Sequence, residues 1–210
     1  MRSVLRRIDR AIKRLYNLEF KPPVEHFLVS IPDTKRPGAL LLAQYPEQDS
    51  LELGIHLSQK IRGSLETFPK GRWAEWPTEK LQAFTVMTEE ISHFHYVRYH
   101  ATQGRQVSHL ELELQGEIDK FLIAYFTNPT PKHDTEFEKL FESFFAQFSL
   151  RPGLSREEEE RYLEANRLAR RYIRKLSATL RDPQRREDLL RRLRKFYRLS
   201  AAEKISQIAA

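Results

Sequence analysis

No cysteine occurs among the 210 residues. That absence excludes disulfides, zinc fingers and thiol nucleophiles, fits a reducing cytoplasm, and leaves histidine and carboxylates to hold any metal. Glycine is scarce, with 7 residues, and there is no long Ser, Gly or Pro tract, so extended disorder is not expected. A Gly-rich phosphate loop is also missing, which removes support for nucleotide hydrolysis. No run approaches the roughly 18 apolar residues that a membrane-spanning helix needs. The opening "MRSVLRRIDRAIKRLYNLEF" scatters charge through its apolar positions, unlike a secretory signal. What is present, 40% hydrophobic and 31% charged residues, describes a soluble globular chain.

The net charge of +7 is unevenly placed. Residues 1–20 carry a balance of +4 and residues 151–210 one of +8, so 21–150 stands at −5. An acidic body therefore lies between basic ends, and summed positive charge attracts anionic partners. In "REDLLRRLRKFYRL", Arg191, Arg192, Arg194, Lys195 and Arg198 surround a Leu/Phe stripe and are the expected anion contacts. The partner could be nucleic acid, an anionic membrane or an acidic protein; a solvated basic face is the bland alternative.

Helical spacing of Leu5, Ile8, Ile12 and Leu15 predicts a helix over 2–18. Three strand candidates follow, "EHFLVSI", "GALLLAQY" and "SLELGIHLS", separated by the turn-forming "PDTKRPG" and "PEQD". Beyond residue 77 the pattern is helical. Thr78 is a candidate N-cap for a helix of about 79–100. Ser108 with Glu111 and Ser155 with Glu158 read as capping boxes for helices of about 109–127 and 156–180, with "NPTP" ending the first of these. Ser200 with Glu203 opens a short last helix. The expected class is α+β: a small antiparallel sheet at 24–57 packed on a mostly helical body. Three parts are expected: a basic amphipathic helix (1–20), an acidic α+β body (21–150) and a basic helical part (151–210).

The chemistry concentrates in "VMTEEISHFHYVRYH" (86–100). On a helical wheel, Ala83, Val86, Met87, Ile91, Phe94 and Val97 share an apolar face. Glu90 falls inside it and His93 at its edge, with Glu89 one step further round. His95 falls on the polar side, and His100 ends the helix, where its cation would meet the helix dipole. In the next helix, Leu110, Leu114, Ile118, Phe121 and Tyr125 form an apolar face with Glu117 against it and Glu113 at its edge. Buried carboxylates are costly unless paired, protonated or bound to a cation. Two successive helices thus aim acids at one core, which predicts a cluster of Glu90, His93, Glu113 and Glu117, with Glu89 as an optional fifth member.

Three readings of that cluster compete. Glu89, His93 and Glu113 could hold one metal ion, with Glu90 as general base. Glu90-x-x-His93 has the ligand spacing of a di-iron carboxylate bundle, but the second E-x-x-H that such a bundle needs is missing. Or the acids are satisfied by Arg, Lys, Tyr or His partners and serve structure alone. A Tyr or Arg of "RYLEANRLARRYIRKL" could stabilise an oxyanion if that helix closed over the cluster.

"EEISH" resembles the H-E-x-x-H helix of zinc metallopeptidases, with Glu89 in place of the first His. The gluzincin branch takes its third ligand from an E-x-x-x-D pattern on a following helix. Glu113, 20 residues after His93, stands in the Glu place and Glu117 in that of the Asp. The resemblance spans about residues 50–120, with "SLELGIHLS" as the strand ahead of the helix. It implies Glu90 as general base, Glu89, His93 and Glu113 as ligands, and Glu117 behind them. Two carboxylates and one imidazole leave a metal less electrophilic than the usual set. That departure implies zinc, manganese or iron in a weakened hydrolase, or a degenerate scaffold. A metal-free cluster stands equally beside it. The rival function is a noncatalytic protein that binds nucleic acid or an acidic protein through its basic terminal helices.

Overall fold

The computed structural model describes residues 1–31, 39–44, 51–66, 75–127, 134–146, 150 and 153–210. The turns expected at 32–38 and 46–49 and the break at 128–131 lie outside these residues. The class is α+β, as the sequence pattern implies, with eight α-helices and one small sheet among the described residues. No helix among them is long and apolar enough to cross a membrane.

Helix α1 (Arg2–Tyr16) buries Val4, Leu5, Ile8 and Ile12 completely and ends at Asn17, which adopts the left-handed conformation. Asn tolerates that geometry better than most residues and so makes a good stop. The first strand candidate is mostly a 3-10 turn (Val24–Phe27), leaving only β1 (Leu28–Val29) extended. Strands β2 (Ala39–Gln44) and β3 (Glu52–Leu57) pair antiparallel, with Leu41 opposite Ile55. The expected all-antiparallel sheet is corrected, because β1 pairs with β3 in parallel, Leu28 opposite Ile55. β3 is central, in the order β1-β3-β2. A strand on the far edge of β3 that runs against β2 must run with β3, so no hairpin joins the first two strands.

After α2 (Gln59–Ser64), α3 (Thr78–Ala101) and α4 (His109–Thr127) form the middle of the molecule. Tyr96 meets Glu111, Ser92 meets Asp119, and Glu89 meets Lys120, so the two helices run antiparallel. α3 touches α1, α2 and the sheet as well as α4, and it is buried around most of its circumference. That explains two failures of the wheel. His95, expected on a polar face, is fully buried with Nε2 2.8 Å from Asp9 of α1. His100 is buried against the Tyr197 carbonyl and accepts from Arg105; burial, with the charges of Arg105 and Lys204, lowers its pKa to about 4, so it is neutral.

Helix α5 (Asp134–Phe145) packs Phe137 and Phe141 edge-on and Phe145 tilted against Phe121 of α4. Helix α6 (Arg156–Arg181) opens with the expected Ser155–Glu158 capping box and lies along α4. Its first turn holds Glu157, Glu158 and Glu159, which suit the positive end of the helix dipole. Helices α7 (Arg186–Arg198) and α8 (Ala201–Ala209) complete the chain, the latter with the Ser200–Glu203 box. α7 packs on α1. Arg194 donates to the carbonyls of Arg14 and Leu15, and Arg198 to that of Tyr16. Two of the five expected anion contacts therefore cap the last turn of α1, whose carbonyls lack intrahelical donors. Arg191 and Arg192 pair with Asp188 at 2.7 and 3.0 Å, and Lys195 is exposed.

Candidate metal centre

Antiparallel packing of α3 on α4 brings Glu89 and His93, one turn apart, against Glu113. One ligand atom from each lies within 4.8 Å of the others. His93 Nε2 is 3.8 Å from Glu113 Oε2. Ligands around a tetrahedral ion at about 2.1 Å sit roughly 3.4 Å apart, so only a small contraction separates this pair from a shared cation. Both side chains are about nine-tenths buried, as is that of Glu89.

Gly116 makes the approach possible. A Cβ there would lie 2.9 Å from His93 Nε2 and 3.3 Å from Glu89 Cγ. Its missing side chain leaves space beside the nitrogen that would bind metal. Glycine inside a helix costs about 1 kcal/mol relative to alanine. The cost is offset here by the closeness of the two helices.

Lys120, on the same face of α4, bonds Glu117 Oε1 at 2.6 Å and Glu89 Oε2 at 3.1 Å. Burial alone would lower its pKa, but Glu117 and Glu89 outweigh burial and raise it, so the ammonium stays charged. Asn166 of α6 lies beside Glu117, and burial raises the Glu117 pKa against the pull of Lys120. Burial first, and the charge of Glu89 second, push Glu113 up to about 7, against the pull of Lys120, Arg161 and a hydrogen bond from Tyr162. Lys120 thus bonds two of the three carboxylates, and burial leaves Glu113 above the ordinary carboxylate range.

Of the residues singled out in the sequence, Glu89, His93 and Glu113 come together as a group, and Glu117 stands beside them, held by Lys120. Glu90 is buried at 6% exposure but does not join that group. Tyr162 and Asn166 of α6 reach Glu113 and Glu117, as a helix closing over the cluster would. Glu111 serves its capping box, bonding the Ser108 amide at 3.0 Å and Arg105 at 2.7 Å. Two further polar residues escaped sequence reasoning. Lys120 was findable, since it lies three residues after Glu117, within reach on one helix face. Asp119 sits on the opposite side of α4 and accepts from Ser92 at 2.6 Å, from Gln115 at 3.2 Å and from Tyr16. Fully buried Lys204 of α8 donates to Gln115 Oε1 at 3.0 Å and completes that second network. No protein-family model, curated protein or solved structure matches this chain.

Proposed function

We propose that the protein binds one divalent transition metal through Glu89, His93 and Glu113 and acts as a metal-dependent, metallopeptidase-like hydrolase in the cytoplasm. The observation that carries this reading is the meeting of those three ligand atoms within 4.8 Å beside Gly116. An imidazole with two carboxylates suits zinc, manganese or iron. Bound metal would supply a Lewis acid to polarise a scissile carbonyl. Glu90, next to the ligand Glu89, is assigned the part of general base toward the attacking water. Tyr162, already on Glu113, is the candidate donor to a developing oxyanion. Lys120 holds Glu89 and Glu117 in orientation, as outer partners of metal ligands do.

Elemental analysis of protein purified without chelator tests the first half: about one metal per chain is expected, and loss of it in His93→Ala. Absence of metal, with no uptake on titration with zinc, manganese or ferrous iron, overturns the reading. Turnover of a peptide library tests the second half. Glu90→Gln is expected to keep the metal and lose hydrolysis. If metal is bound but no peptide is cleaved, the site is a binding centre only.

A further inference from the structure

The two basic ends of the sequence meet. α1 and α7 pack side by side, and the last turn of α4 closes the angle between them, leaving a cavity of about 690 Å³. Its floor is apolar, formed by Leu15, Ile123, Phe126, Leu189 and Leu190. Its rim is arginine: Arg6, Arg7, Arg10 and Arg14 from α1, and Arg186 from the start of α7. No acidic residue lines it. Arg6 is engaged by Glu25, but among the described residues Arg10, Arg14 and Arg186 have no carboxylate partner. Arg6, Arg10 and Arg14 follow one another at four-residue spacing, so their guanidinium groups repel along one stripe of α1. An anion on the rim relieves that repulsion, and guanidinium binds phosphate or carboxylate in a two-pronged fashion.

We infer that this cavity binds a single-chain anionic amphiphile, a phosphate or carboxylate head on an aliphatic tail. The tail covers the Leu/Ile/Phe floor, and the head is held by Arg10, Arg14 and Arg186. Size favours this occupant over a macromolecule. The volume lies within the 300–1,000 Å³ or so typical of small-ligand sites. A helix about 10 Å across would fill it in fewer than two turns, too few to present both an apolar stripe and several acids. Duplex nucleic acid would leave the apolar floor without a partner.

The test is calorimetric titration of the full chain with dodecyl phosphate below its micellar concentration. Circular dichroism in parallel confirms that the fold persists. Saturable binding of one dodecyl phosphate per chain is expected, with inorganic phosphate and dodecyltrimethylammonium each at least tenfold weaker. Arg10→Glu with Arg14→Glu changes two exposed side chains, and it is expected to weaken binding at least tenfold without moving the melting temperature. A conservative Arg10→Lys, Arg14→Lys pair is expected to recover part of that loss. Equal affinity for inorganic phosphate, unchanged binding by the Glu double variant, or no saturation would each overturn the inference. So would tight binding of an acidic helical peptide or single-stranded RNA at these arginines without competition from dodecyl phosphate.

Discussion

Two polar clusters are built across the same helix pair from neighbouring residues, and they follow opposite rules. Ser92 and Asp119 belong to one, His93 and Glu117 to the other. In the first, a single buried carboxylate accepts from Ser92, Gln115 and Tyr16, with Lys204 bonded to Gln115 behind them. Each donor has an acceptor, as a buried network requires if it is to specify structure. In the second, Lys120 bonds Glu89 and Glu117, while burial and the charge of Glu89 hold Glu113 above the ordinary carboxylate range. The difference teaches how to separate architecture from function inside one core. Burial raises both carboxylates, Asp119 to about 6 and Glu113 to about 7. Asp119 is met by three hydrogen-bond donors, whereas Glu113 lies against a second carboxylate, that of Glu89.

Substitutions test that contrast. Asp119→Ala strands three buried donors and is expected to cost about 3–5 kcal/mol in urea denaturation. A loss below about 1 kcal/mol would erase the distinction. Glu113→Gln is expected to do the reverse in metal-free protein. The folded pKa of Glu113 is raised to about 7 from an ordinary 4.5. Its ionisation therefore costs nothing below pH 4.5, and the penalty grows until pH passes 7. At pH 8 the substitution should stabilise the metal-free protein by about 2–3 kcal/mol, and at pH 4 by almost nothing. The same variant should lose at least a hundredfold in metal affinity. In the parent protein, metal affinity should fall as pH drops through 7, because the cation must then displace the Glu113 proton.

Gly116→Ala gives a smaller effect on stability. The added methyl would sit 2.9 Å from His93 Nε2, so the imidazole must shift. Helix propensity offsets the strain, and melting should change by less than about 1 kcal/mol. Metal affinity should nonetheless fall about tenfold, which a binding isotherm detects. Lys204→Met acts through pH. Burial lowers the Lys204 pKa to about 7 against 10.5 for a free lysine. The unfolded chain binds the proton between those values and the folded one does not, so this group's contribution to stability rises with pH from about 7 to 10.5. The variant should flatten that rise.

Legibility in the sequence tracked the range of the interaction. The capping boxes at Ser108, Ser155 and Ser200 lie within four residues, and all three formed. The meeting of Glu89, His93 and Glu113 was readable because the first two share one helix and the short connection to the next forces the two to pack. Glu113 and Glu117 then had one neighbour to face. Glu90, expected in the cluster, stands outside that group. What was not legible depended on distant docking. His95 looked solvated because nothing local shows that α1 covers it and offers Asp9, 86 residues away. The direction of β1 was hidden for the same reason, since pairing with β3 rather than β2 is a tertiary choice. Asp119 was invisible because two of its partners, Tyr16 and Ser92, come from two other helices.

The arginine caps on α1 carry a consequence for how the chain is made. The donor that completes Leu15 lies 179 residues further on, at Arg194. A ribosome emits the first helix long before the segment that finishes its last turn. Until then the face of α1 that packs on α7 is uncovered. Nascent protein truncated before α7 should therefore display the α1 apolar stripe to chaperones, and release from them should coincide with synthesis of the final two helices.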